Sequence, residues 1–322
     1  MRTLNRIGID AYMLLLLGAV ILGVSLPVQA MAADALNQTT FSAVALLFFL
    51  YGAKLDSASV RAGLTNWRVQ ALTFAATYLL LPVTGLALVA IFDPFLRPTE
   101  IIGLLFLAVL PSTVQSSIAF TSIAGGNLPA AICAASVSNL AGVALTPALV
   151  ALLLSTGDGS VNLSAVLKVG TQILLPFVIG QVVRPWVGAT IQKHWMMTLA
   201  VDRGAILLIV YSAFSAGTVA GLWAATPLTA LLELGGIVLL FFAAASSLMV
   251  CLGKLCGLPA ADRAALFYCG STKSLASGLP IASILFAPEM VGAIILPTMI
   301  YHMTQLLLCA YVSQKAARAV AI

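Results

Sequence analysis

Charge is what this chain lacks. Of its 322 residues 8% are Asp, Glu, Lys or Arg, 61% are hydrophobic, and mean hydropathy is +1.11. Soluble domains carry roughly 25% charged residues, and a soluble protein this apolar could not cover its surface. A soluble domain is therefore excluded, and the chain reads as an integral, multi-pass membrane protein. Cysteine is sparse too. Cys133, Cys251, Cys256, Cys269 and Cys309 have no CxxC spacing and lie mostly in apolar runs, so they read as small packing residues, not metal ligands or disulfide partners. The stretch "GSTKS" at 270–274 lacks the remaining glycines and the strand context of a P-loop. No cofactor, metal or nucleic-acid partner is expected; the surroundings are membrane lipid.

Spanning a bilayer core of about 30 Å takes about 20 apolar residues. Ten such runs are present: 9–27, 38–55, 69–92, 101–123, 128–154, 163–185, 203–222, 228–252, 262–286 and 290–313. Short loops make them one transmembrane domain over 1–322. Charge tests the count independently. Arg2, Arg6, Lys54, Arg61, Arg68, Arg184, Lys193, Arg203, Lys254, Arg263, Lys315 and Arg318 fall on one side, while the opposite loops carry only Arg97 among several acids. The positive-inside rule then places both termini in the cytoplasm, in a bacterial inner (plasma) membrane. The start, with two arginines, an apolar run and "SLPVQAMAA" at 25–33, also has the form of a cleavable signal. Its removal would leave nine spans and break the symmetry described next.

Two stretches are alike: "LPSTVQSSIAF" at 110–120 and "CGSTKSLASGL" at 269–279. Each sets a Ser-Thr pair after a helix breaker, Pro111 or Gly270, with a longer polar residue just beyond. Each lies in the fourth span of a five-span half, about 9–155 and about 162–316. Five being odd, the second half must enter the membrane upside down, as in inverted-repeat transporters. The fold class expected is thus an all-α bundle of ten helices in two inverted repeats, with broken, crossing helices 4 and 9. By helical rise both breaks lie ~15 Å into the membrane, from opposite faces. Unwound backbone at that depth cannot face lipid but can line a cavity. Ser112, Thr113, Gln115, Ser116, Ser117, Ser271, Thr272, Lys273 and Ser274 are the site residues this pattern nominates.

Lys273 is the sharpest of them. An ammonium at mid-depth costs at least ~2.5–3.5 kcal/mol on insertion scales. No acid lies at its depth by sequence, so its partner is the C-terminal end of a half-helix, hydroxyls or a substrate, unless it sheds its proton. Lys168, near the end of its span, can snorkel instead. His302 in "IYHMTQ" is also near mid-depth and is nominated as a site residue, with Gln305 one turn on and Asn139 at a corresponding place in the first half.

With "ALLFFLYGAKL", "VLPSTVQSSIAFTSIAGGN", "ILLPFVIGQVVRPW", "YCGSTKSLASGLPIA" and "LPTMIYHMTQ", the chain resembles the bile acid:sodium symporter superfamily over about residues 10–316. It is most similar to the bacterial branch whose substrates are poorly defined. The resemblance implies core and panel domains, alternating access and an organic anion as substrate. It also implies altered sodium sites. The Ser-Asn pair of sodium-coupled members is best matched by Ser116 and Ser117. Their span-five hydroxyl ligands fall on Ala131 and Ala135, and their glutamate falls near Cys269. Their two glutamines fall on Lys273 and Thr77; the cavity histidine is kept as His302, but its asparagine neighbour is Met303. Thiol and ammonium in place of carboxylate and amide reverse the local charge, which argues against two ordinary sodium ions. Coupling to sodium, a proton or another ion, or uncoupled transport, stays open. The leading expectation is a secondary transporter, not an enzyme, with Thr77, Asn139, Cys269 and Gln305 supporting the site. A regulatory or scaffold protein that keeps the transporter fold is the alternative. Ser271 with Lys273 suggests a Ser–Lys dyad, but no oxyanion motif accompanies it.

Overall fold

A computed structural model describes residues 11–54, 66–154, 175–221, 223–224 and 227–320. Lys168, Asp56, Arg2, Arg6 and Arg61 lie outside the described residues. Within them the structure is all-helical: α1 (Ala11–Ser25), α2 (Met31–Lys54), α3 (Trp67–Ala75), α4 (Leu81–Phe92), α5 (Pro98–Val109), α6 (Gln115–Ile123), α7 (Leu128–Leu154), α8 (Leu175–Lys193), α9 (Trp195–Val219), α10 (Leu228–Leu255), α11 (Ala260–Ser271), α12 (Leu275–Leu285) and α13 (Pro288–Val320). A π-helical stretch, Ala76–Leu80, joins α3 to α4 without a break in direction.

Among the described residues, six helical stretches are long and apolar enough to cross a membrane singly: 31–54, 67–95, 128–154, 195–219, 228–255 and 288–317. Two differ from the apolar runs. α2 begins at Met31 rather than residue 38, and α9 begins at Trp195 rather than residue 203. The reason is physical: apolarity marks what lies in hydrocarbon, whereas a helix continues as long as its backbone bonds do. Leu14, Leu17, Ile21, Leu22 and Leu79 remain exposed, as lipid-facing side chains must.

The fourth and ninth apolar runs are each interrupted. α5 stops at Val109 because Pro111 has no N–H to continue the ladder and forces Leu110 into extended backbone (φ −68°, ψ 149°). α11 stops at Ser271, where Thr272 is also extended (φ −92°, ψ 151°). The chain restarts at α12 with Ser274 as N-cap, its hydroxyl oxygen accepting the Ser277 N–H at 3.2 Å.

Helices α1, α2, α8 and α9 form one packed group, and the remaining helices pack around the two interrupted ones. α9 joins the groups through α12 and α13, where Ile206, Ile209, Val210 and Phe214 meet Leu279, Ile281, Ile294 and Ile295 in an apolar core. α2 and α8 touch backbone to backbone. A Cβ at Gly52 would strike the Phe177 carbonyl, and one at Gly180 would strike the Phe49 carbonyl, so small residues here permit the close approach. Gly180→Leu is expected to destabilise the fold by ~1–3 kcal/mol through overpacking, seen as a lower melting temperature in detergent. Gly18→Ala, whose added methyl meets nothing within 4 Å, is the control expected to leave it nearly unchanged.

Candidate functional site

The two unwound stretches, 110–114 and 272–274, lie against each other. Ser274 N–H donates to the Pro111 carbonyl at 2.8 Å. Thr272 Oγ1 lies 3.2 Å from Ser112 Oγ, 3.0 Å from Thr113 Oγ1 and 2.7 Å from Ser117 Oγ. Hydroxyls suit this contact because each both donates and accepts, so a cluster can close on itself without charge. Ser112, Ser117, Ser271 and Thr272 are all at most 1% exposed.

Each freed backbone group needs a partner here, since lipid supplies none. Two neighbouring helices supply several of these partners. From α7, Asn139 Nδ2 donates to the Ser112 carbonyl at 2.6 Å, Ser138 Oγ accepts the Ser112 N–H at 3.0 Å, and Thr146 donates to the Val109 carbonyl at 2.9 Å. From α13, the Gln305 amide pairs both ways with Lys273: its Oε1 accepts the Lys273 N–H at 2.8 Å and its Nε2 donates to the Lys273 carbonyl at 2.9 Å. Tyr301 donates to the Ser271 carbonyl. Asn139 and Gln305 thus have matching tasks, one on each unwound stretch.

Lys273 is fully buried, and its ammonium finds a ring of carbonyl oxygens. Nζ donates to Ala108 O at 2.7 Å, Leu110 O at 2.8 Å and Thr77 O at 3.3 Å. Three donors meet three acceptors. Two of these oxygens belong to the C-terminal end of α5, where the helix dipole adds negative potential. The third is free for a local reason. In the π-helical stretch the Leu81 N–H bonds Ala76 O, and the next residue, Pro82, has no N–H to offer Thr77 O. Of the partners expected for Lys273, the half-helix end is the one found, with the π-helical carbonyl added.

Lys273 does not line the cavity beside it. That cavity, about 710 Å³, lies between the two helix groups. Thr113, Gln115, Ser116, Ser274 and His302 reach it, as does Asn139; Ser112, Ser117, Ser271, Thr272, Lys273, Thr77, Cys269 and Gln305 stand behind its wall. Gln305 links the two layers, because its Nε2 also lies 2.9 Å from His302 Nδ1. Since that amide is oriented by the Lys273 backbone, it donates to Nδ1 and places the proton of a neutral His302 on Nε2.

The opposite wall was not nominated from the sequence. Tyr12, Tyr51, Lys54, Asp202 and Arg203 line it, with Phe48, Phe177 and Ile206 as apolar neighbours. Lys54 Nζ lies 3.8 Å from Asp202 Oδ2, Tyr51 donates to Asp202 Oδ1 at 3.3 Å, and Arg203 stacks 4.8 Å above the Tyr12 ring. In the sequence these charges read only as topology markers. The available signal was the spacing of Tyr51 and Lys54, three apart on the last turn of α2 and so on one face.

Three of the positions that the resemblance matches to sodium ligands bring no side-chain oxygen. Ala131, Ala135 and Cys269 belong to one buried apolar cluster with Val69, Met249 and Leu266. The Cys269 thiol donates only to the Ala131 carbonyl, at 3.6 Å. Among the described residues no group of three His, Cys, Asp or Glu is placed to hold a metal ion.

Comparison with known proteins gives the family. Residues 10–318 match the profile of the SBF-like CPA transporter family. An uncharacterised protein of Pseudomonas aeruginosa PAO1 is 45% identical over 310 residues, covering 96% of this chain and 93% of that one. The Escherichia coli K12 protein YfeH, a candidate symporter by name, is 37% identical over 311 residues, with the same coverage of 96% and 93%. Sodium/bile acid cotransporter 7 of Danio rerio is 30% identical over 285 residues, covering 84% and 81%. The chain is a multi-pass membrane protein and belongs to the SBF-like CPA transporter family, within the bile acid:sodium symporter superfamily.

Proposed function

We propose that this protein is a secondary active transporter that moves a small organic anion by alternating access, with a tethered ammonium in place of the usual sodium chemistry. Lys273 Nζ on the carbonyls of Thr77, Ala108 and Leu110 is the observation that carries the reading. The family resemblance sets a sodium-site glutamine at position 273. Here the lysine brings its own positive charge to the end of α5, so the crossing is neutralised without an ion.

The crossing then serves as a fixed hub in a ten-helix, two-repeat arrangement. Ser116, Thr113, Ser274 and His302 face the substrate from one wall, while Lys54 and Arg203 supply positive charge from the other. Because the cavity lies between the two helix groups, sliding one group against the other would close it on one side and open it on the other. Gln305 transmits the state of the Lys273 backbone to His302. The Danio rerio relative carries bile acid in its name, which makes cholate a rational first probe among small organic anions. Ser271 lies within hydrogen-bond reach of Phe267 O, at 2.6 Å, and its placement behind the wall gives a Ser–Lys dyad no substrate to attack.

Two measurements test this. Uptake of labelled organic anions into proteoliposomes is expected to proceed equally in sodium and in N-methylglucamine buffers; a strict sodium requirement that persists in Lys273→Ala would falsify the tethered-cation reading. Complete absence of flux, with normal anion binding, favours a regulatory protein instead. In the same assay Ser116→Ala and His302→Ala are expected to lower uptake about tenfold each, the equivalent of one lost hydrogen bond of ~1–1.5 kcal/mol. Lys273→Ala leaves three buried carbonyls without a donor at ~1–3 kcal/mol each and should lower the melting temperature far more than either.

A further inference from the structure

The wall formed by α2 and α9 holds the one carboxylate that lines the cavity among the described residues, Asp202. It is set among every kind of partner a proton-exchanging acid uses. Lys54 pairs with it loosely, at 3.8 Å, and Tyr51 donates a hydrogen bond at 3.3 Å. Arg203 is its chain neighbour, held over Tyr12 of α1. From α13, across the cavity, His302 is the ionisable side chain on the lining; α12 presents none, and Arg184 and Lys193 of α8 do not line the cavity. The side chains of Lys54 and Asp202 are 31% and 16% exposed, so water reaches both. A loose, wetted ion pair of this kind contributes little stability, so its cations can change partners readily.

We infer that Asp202 is a proton-loading site, and that substrate anion and proton are carried together. This rests on the transporter reading above and names its coupling ion. Charge decides the logic. Empty, the wall holds Lys54 and Arg203 protonated and Asp202 ionised, a net charge of one positive. An incoming monoanion competes with the Asp202 carboxylate for Lys54 and Arg203. Displaced from its cation and facing a second anion, the carboxylate takes up a proton from the bulk solution, relayed by the water that reaches the cavity. The loaded wall then holds two cations, a neutral acid and one anion, again one positive. Loaded and empty states carry the same charge, so both can pass through the closed intermediate at equal electrostatic cost. Release runs in reverse: the anion leaves, Lys54 returns to Asp202, and the proton departs to water.

The test uses the full-length protein with cholate and a panel of small organic monocarboxylates. In infrared titration of the purified protein, wild type is expected to gain a protonated-carboxyl band on acidification that Asp202→Asn lacks. Lys54→Gln should move that band to higher pH, and Glu289→Gln, at an exposed acid on α13, should not move it. In proteoliposomes an inward acid gradient should speed wild-type uptake several-fold, with proton influx matching it. Asp202→Asn should transport at the same rate with and without the gradient, and Asp202→Glu should recover the dependence. Titration bands identical in wild type and Asp202→Asn, or gradient-driven uptake that survives Asp202→Asn, overturn the assignment while leaving the transporter reading intact. If no anion in the panel is moved by wild type under any gradient, the transporter reading itself fails and the coupling role falls with it, even where the titration finds Asp202 protonating.

Discussion

The fold is organised around a buried ammonium resting on three backbone carbonyls. An ammonium at mid-membrane depth, where the sequence places Lys273 by expectation, costs at least ~2.5–3.5 kcal/mol, but each charge-assisted hydrogen bond is worth ~1.5–3 kcal/mol, and three are made. The same bonds cover carbonyls that Pro111 and Pro82 have stripped of helical partners. Penalty and remedy are therefore one structure: the breaks would be untenable without the lysine, and the lysine without the breaks. Lys273 reaches across from one interrupted stretch to the other, so the two are tied together where they meet. The reciprocal Gln305–Lys273 pairing and the Asn139–Ser112 bond extend that tie into α13 and α7.

This arrangement divides the polar residues into two layers. Behind the cavity wall Ser112, Ser117, Ser271 and Thr272 spend their hydroxyls on one another and on helix-end carbonyls. In front, Thr113, Gln115, Ser116, Ser274 and His302 face open space. A rigid inner layer is what lets the outer one hold a fixed geometry. The facing wall is built differently. Its charges, Lys54, Asp202 and Arg203, sit on α2 and α9, whose group is fastened by the glycine contact at Gly52 and Gly180 and by apolar packing. One wall is hydrogen-bonded and neutral at its surface, while the other carries mobile charge.

Much of this was legible before any coordinates. The pairing of Pro111 with Ser112–Thr113 located the first break, because proline acts on the backbone locally; near the second, Gly270 itself stays helical, its missing side chain leaves room for Met249, and the chain unwinds only at Thr272–Ser274. That Lys273 needs a half-helix end, hydroxyls or a substrate followed from the cost of its charge and the absence of any acid at its depth by sequence; the structure selected the half-helix end. Helix ends were less legible: α2 and α9 run well past their apolar stretches. Hydropathy is blind to helix outside hydrocarbon.

The cavity itself was beyond reach. Nothing local distinguishes Ser116, which lines it, from Ser117, which is buried behind it; a difference of one residue turns a side chain by roughly 100° about the helix, and only neighbours decide which direction is open. Lys54, Asp202 and Arg203 are even less readable, since they lie far apart in sequence and at the edges of spans, where charge ordinarily reports topology. Sequence alone determined the membrane class, the two broken stretches and the cost of Lys273, because composition, helix breaking and burial of charge are properties of short segments. Tertiary structure alone decided which carbonyls answer the lysine, which hydroxyls face the cavity and which charges face them, because those depend on how separate helices meet.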